Sequence, residues 1–163
     1  MNTGQSLFSI GALLLLSLTV LRINNSILIT DSILQDSKLG VLATSVATSL
    51  IEEASKKAFD ENSVDGAVLN LSELTSYYSF GPDSGETSDT FDDIDDYNGY
   101  IKRDTVDTID FKMVCAVNYI NPDNIDGATT QKTWHKKITV IITSSFIKDP
   151  VTYSTVYSYW YFR

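Results

Sequence analysis

Apolar and polar positions divide this chain into three regimes. From Leu7 to Leu21 the run LFSIGALLLLSLTVL carries no charge, and none occurs before Arg22. From Arg22 to Phe59 apolar residues recur at Ile23, Ile27, Leu34, Val41, Leu42, Val46, Leu50, Ala54 and Ala58, a spacing that marks one helix face. No proline precedes Pro82, so the two regimes predict one mostly helical rod from Gln5 to Phe59. At about 1.5 Å per residue it would be roughly 80 Å long. Its weak points are Asn24-Asn25 and Gly40, since glycine in a helix interior costs up to ~1 kcal/mol against alanine. Glu52 and Glu53 precede Lys56 and Lys57 by one helical turn, the favourable order for such pairs.

Beyond Phe59 the helical period stops, and Asn62, Asp65 and Gly66 mark a turn. Asn70-Leu71-Ser72-Glu73 has the form of a capping box and predicts a short helical turn through about Tyr77. The stretch Gly81 to Tyr100 predicts a long loop. Period-two alternation then predicts three strands, Asp110 to Ile120, Trp134 to Ser144 and Val151 to Phe162. In the first, Phe111, Met113, Cys115, Val117 and Tyr119 share the more apolar face. In the second, Ile138, Val140 and Ile142 alternate with Lys137, Thr139, Ile141 and Thr143. In the third, Val151, Tyr153, Thr155, Tyr157, Tyr159 and Tyr161 face one way and Val156, Trp160 and Phe162 the other. Asn121-Pro122-Asp123 opens a loop expected to run to about Thr130. The expected class is α+β: a long N-terminal helix, apolar then amphipathic, packed by an antiparallel β-sheet head. The expected divisions are 1–22, the apolar helix; 23–60, the amphipathic helix; and 61–163, a loop-rich β head.

Composition narrows the function. With 12 basic and 21 acidic residues the net charge is −9, which argues against nucleic acid, because phosphate binding needs a basic face. The single cysteine, Cys115, allows no intrachain disulfide, and the single histidine, His135, leaves no histidine-cysteine zinc cage. There is no GxGxxG, P-loop, GxSxG or HExxH. Cys115 falls on an apolar face, where it reads as a small hydrophobe. No enzyme activity and no organic cofactor are expected.

The acidic loop holds Asp83, Glu86, Asp89, Asp92, Asp93, Asp95 and Asp96. Asp92, Asp93, Asp95 and Asp96 form a candidate Ca²⁺ set, since that ion takes six to eight oxygens, although the EF-hand spacing is missing. The competing expectation is a solvated, turn-forming loop. In it Phe91, Ile94 and Tyr97 pin the segment to the head while the acids cap turns or face solvent. Paired carboxylates for glycoside hydrolysis have no supporting features.

The leading segment has three readings. A cleaved signal peptide needs a basic n-region, and MNTGQS has none. A membrane anchor fits, because the uncharged run from Met1 to Leu21 can just span the ~30 Å hydrocarbon core. A packing helix also fits: Ser9, Gly11, Ala12, Ser17 and Thr19 interrupt the leucines, and small residues let helices approach closely. A helix apolar on all sides must be buried, in lipid or among its own copies.

On these residues the chain resembles the type IV pilin superfamily. The run FDDIDDYNGY, Phe91 to Tyr100, is similar to a segment of pilin-like minor subunits of the mannose-sensitive haemagglutinin type. The resemblance implies a subunit held in the inner membrane and then extracted by pilus assembly machinery into an extracellular homopolymer, with N-terminal methylation and a role in adhesion. Where the family has a glutamate near its mature N-terminus, Gln5 stands if Met1 is the mature start, and Ser9 if processing follows Gly4. Gln5 accepts a hydrogen bond from a neighbour's amine but does not neutralise it. The residues expected to carry assembly are Gln5, Leu7, Phe8, Ile10, Leu13, Leu14, Leu18 and Leu21. The alternative is a single-pass anchored pseudopilin or minor subunit of a secretion or adhesion machine.

Overall fold

The computed structural model describes residues 2–161. Helix α1 covers Thr3–Ala54. After it come 3-10 turns at Glu61–Ser63, Leu71–Glu73, Tyr77–Ser79 and Asp95–Tyr97, and then strands β1 (Ile101–Val106), β2 (Ile109–Asn121), β3 (Asn124–Thr129), β4 (His135–Thr143) and β5 (Val151–Ser158). The expected α+β class is the observed one. Two units divide at Leu39 and Gly40. Residues before that boundary are described below by themselves. The unit from Gly40 onward holds the last turns of α1 and the whole sheet.

Asn24, Asn25 and Gly40 are all helical, and the helix ends at Ala54, short of the expected Phe59. Ser55 N still bonds Ile51 O at 2.9 Å, but Lys56 N and Lys57 N reach only to Glu53 O and Ala54 O. This is the tightened last turn that uses up otherwise unpaired carbonyls. Ala58 then leaves the helix to form a parallel bridge with Asp93, and Phe59 enters the core fully buried.

The sheet is antiparallel throughout, in the order β1-β2-β4-β5, with β3 also pairing β2. β4 lies along one edge of β2 from Lys112↔Thr143 to Tyr119↔Lys136. The opposite edge is shared: β1 pairs residues up to Val114, and β3 pairs from Tyr119. Asn98 to Tyr100 fill the gap between them. Cys115 N donates to Tyr100 O (2.9 Å), Gly99 N to Cys115 O (3.0 Å) and Val117 N to the Asn98 side chain (3.1 Å). Gly99 sits at φ +78°, a conformation that glycine adopts without steric cost.

The three expected strands are present as β2, β4 and β5. Two further strands were not expected. β3 occupies what read as a loop after Asn121-Pro122-Asp123, because its IDGAT sequence lacks an apolar alternation. β1, IKRDTV, is mostly exposed and carries no apolar face, yet it pairs fully with β2. Its hairpin turns through Asp107 and Thr108, both at positive φ (51° and 69°).

One face of the sheet builds the core. Phe111, Met113, Cys115 and Val117 on β2 and Ile138, Val140 and Ile142 on β4 are buried, together with Ala43, Val46, Ala47, Leu50, Ile51 and Ala54 on α1. The alanines let the helix approach the sheet closely. Tyr157 on β5 closes this layer, its hydroxyl donating to Ile51 O at 2.9 Å. Val156 and Trp160 stay exposed. The Tyr161 and Phe162 side chains, expected on the two faces of this last strand, lie outside the described residues.

Candidate functional site

The expected assembly residues lie on α1 before the unit boundary, and every one that is large and apolar is open. Leu7, Phe8, Ile10, Leu13, Leu14, Leu18 and Leu21 are all more than half exposed, Phe8 at 83%. Gln5 is exposed too. Ile23, Ile27, Leu28, Ile33 and Leu34 extend the same open apolar surface toward the boundary. A Cβ built on Gly11 would meet nothing within 4 Å, so another backbone can approach there. The helix is long and apolar enough to cross a membrane.

In the head, the acidic stretch is mostly exposed over residues 82–90 and mostly buried over 91–97. Phe91, Ile94 and Tyr97 are buried and anchor it as expected, with Phe91, Tyr97 and Tyr100 packed edge to face at 5.2 to 6.0 Å. Of the acids, Asp92 faces solvent and Asp93 and Asp96 accept N–H groups of the turn, as expected, but Asp93, Asp95 and Asp96 are also buried, at 1%, 2% and 3% exposure. The bridge of Ala58 to Asp93 and the Asn98 to Tyr100 pairing hold the segment at both ends. Its 3-10 turn, Asp95–Tyr97, is buried along its whole length, both carboxylates included. Of the four expected ligands, Asp92 and Asp96 come together, with Glu86 in place of Asp93 and Asp95. The carboxylates that converge, within 4.8 Å, belong to Glu86, Asp92 and Asp96, and Asp96 Oδ2 already accepts from the Asp92 and Asp93 backbone N–H groups.

Asp95 instead meets Lys136. This lysine occupies a core position of β4, two residues before Ile138 on the same face, and is fully buried. Its ammonium donates to Phe59 O at 2.8 Å, Asp60 Oδ2 at 2.7 Å and Asp95 Oδ2 at 2.8 Å. Those bonds use all three of its protons. Asp95 Oδ1 is also 2.7 Å from Nζ. The rings of Phe59, Phe80 and Tyr119 surround the cation, with centroids 4.6, 4.8 and 5.2 Å away, a favourable cation–π arrangement.

The two carboxylates differ. Asp60 Oδ1 accepts from Asn62 N, Thr75 N and the Thr75 hydroxyl. Burial works to raise its pKa, but the Lys136 charge and the hydrogen bonds from Lys136 and Thr75 outweigh that and hold it below the usual value. Asp95 lacks those backbone donors. Burial pushes it up to about 7 against the pull of Lys136. Asp93 next to it is pushed to about 8, by burial first and then by the charges of Asp95 and Asp96. Its Oδ2 has no hydrogen-bond partner among the described residues.

The remaining candidates are quiet. Cys115 is buried, and burial pushes its thiol up to about 12, so it remains a protonated hydrophobe. His135 Nδ1 lies 2.8 Å from Ser158 Oγ and ties β4 to β5, where the two residues are directly paired. No family model, curated protein or solved structure matches this chain.

The cage around Lys136 escaped the pattern reading, although one signal was there. Lys136 has the parity of Ile138, Val140 and Ile142, so it had to share their inward face. Asp60 gave no comparable signal, because it follows the helix in a stretch without periodicity.

Proposed function

We propose that this chain is a pilin-like structural subunit that polymerises through the apolar half of α1 into an extracellular filament, after residence in the membrane. The observation that carries the reading is the open apolar surface from Leu7 to Leu34. A helix greasy on every side has its lowest free energy when buried, in lipid or against sister helices. The order of a long apolar-then-amphipathic helix followed by an antiparallel sheet supports the pilin resemblance, as does the firm anchoring of the FDDIDDYNGY segment in the head. The test is Leu14→Asp. Replacing leucine by aspartate at an apolar helix centre costs about 3–4 kcal/mol on insertion scales, on the order of 10²–10³ in association constant. Electron microscopy of sheared surface material should show abundant thin fibres of the wild-type chain and none of the variant, with the head's circular dichroism unchanged. Fibres at normal yield from the variant refute the helix-core reading.

A second reading has its own support, because α1 meets the length and apolarity of a membrane span. In that case the chain is a single-pass anchored minor subunit of a secretion or adhesion machine. It would stay with the membrane fraction and contribute no abundant fibre to the sheared material.

A further inference from the structure

We propose that Lys136 and Asp95 condense within the folded head to an intramolecular amide, with Asp60 as the carboxylate that handles the proton. The proposal does not depend on polymerisation. Three observations point to it. First, Nζ lies 2.7 Å from one oxygen of Asp95 and 2.8 Å from the other. That near-symmetric seat puts it roughly 3 Å from the carboxyl carbon, the separation at which attack begins. Second, the reacting groups are dry: the side chains of Lys136, Asp60 and Asp95 are 0%, 0% and 3% exposed. Keeping separated charges in such an interior is costly, and a neutral amide removes two of them. Third, the two carboxyls are differentiated. Asp60 is held ionised by donors on both oxygens, whereas Asp95 has only the ammonium and binds its own proton more readily. Neighbouring groups with environments that separate their pKa values are how acid and base roles are assigned.

The atoms balance without a co-reactant. The Lys136 ammonium gives a proton to the Asp60 carboxylate, leaving a neutral amine. The amine lone pair attacks the carbon of the protonated Asp95 carboxyl, and the new C–N bond forms a tetrahedral intermediate. The intermediate loses a second nitrogen proton and expels its hydroxyl as water, with Asp60 passing protons between the two. Asp60 ends protonated, one water is released and nothing is oxidised. Hydrolysis, which dominates for free acids and amines, is opposed here by the fixed geometry, since well-oriented intramolecular partners reach effective molarities of about 10⁵–10⁸ M. The bond would tie the acidic segment to β4 and resist pulling along the subunit.

The test is the intact mass of the full chain purified in detergent, with tandem mass spectrometry of its digest. The expected result is a mass one water, about 18 Da, below that of the same chain unlinked, and a branched peptide joining Lys136 to Asp95. Lys136→Arg keeps the cation but replaces the amine with a guanidinium. It should show the full unlinked mass while circular dichroism reports a folded head. A wild-type mass with no water lost overturns the proposal and leaves a buried ion pair. So does a loss that hydroxylamine reverses and that maps to Asp65-Gly66 or Asp126-Gly127, sites where a cyclic imide forms. A branch to Asp60 overturns the assignment of Asp95 as the carbon attacked.

Discussion

The buried Asp93 is expected to make the head more stable in acid than at neutral pH, by enough to measure by melting. Its carboxyl is 1% exposed, Oδ1 accepts from Asp96 N at 3.1 Å, and Oδ2 has no partner among the described residues. Burial is the largest cause of its rise to about 8, ahead of the charges of Asp95 and Asp96. The sign follows from linkage. The folded chain holds this proton to a higher pH than the unfolded chain, whose carboxylate ionises near the ordinary value of 3.8. The stabilisation is therefore complete below about pH 4 and is lost as pH rises through about 8. Each pH unit in that window removes about 1.4 kcal/mol, or roughly 4 kcal/mol between pH 5 and pH 8. For a domain of this size that lowers the melting temperature by on the order of 10 °C. Asp96, raised to about 6 mainly by burial, acts in the same direction over the lower part of the window. The assay is a calorimetric or circular-dichroism melt of the detergent-solubilised chain at intervals from pH 5 to pH 8, in parallel with Asp93→Asn. The neutral isostere should remove this slope throughout the window. A wild-type melting temperature that is constant or rises with pH, or a variant with an unchanged slope, refutes the reasoning.

Three further outcomes are expected. Leu50→Ala removes a side chain that is 1% exposed at the contact of α1 with the sheet. It should cost about 2–5 kcal/mol in denaturant melts, and a loss under about 1 kcal/mol would mean that α1 does not pack there. Gly99→Ala forces a Cβ into φ +78° and should destabilise the head by roughly 1–2 kcal/mol, seen as faster amide exchange at Gly99 and Cys115; exchange as slow as wild type counts against it. Thr108 is a β-branched residue at φ 69° in the β1–β2 turn, so Thr108→Gly should raise the melting point through a gain of up to ~1 kcal/mol. A lower melting point would show that the threonine side chain contributes more than its backbone strain costs.

The sequence alone carried the parts of this protein that depend on local periodicity. An uncharged run must be helical and must find an apolar environment. Alternation along β2 and β4 named their buried faces before any contact was known. The aromatic and aliphatic anchors of FDDIDDYNGY were legible because a large apolar side chain gains free energy by burial wherever the chain takes it. Tertiary structure decided the fate of groups whose preference is conditional. An aspartate is solvated by default, and only the meeting of residues 60, 95 and 136, far apart in the chain, makes burying two of them tolerable. β1 and β3 became strands because β2 offered an open edge, not because their own residues demanded it. Their hydrogen bonds are backbone to backbone, and side-chain pattern does not encode those.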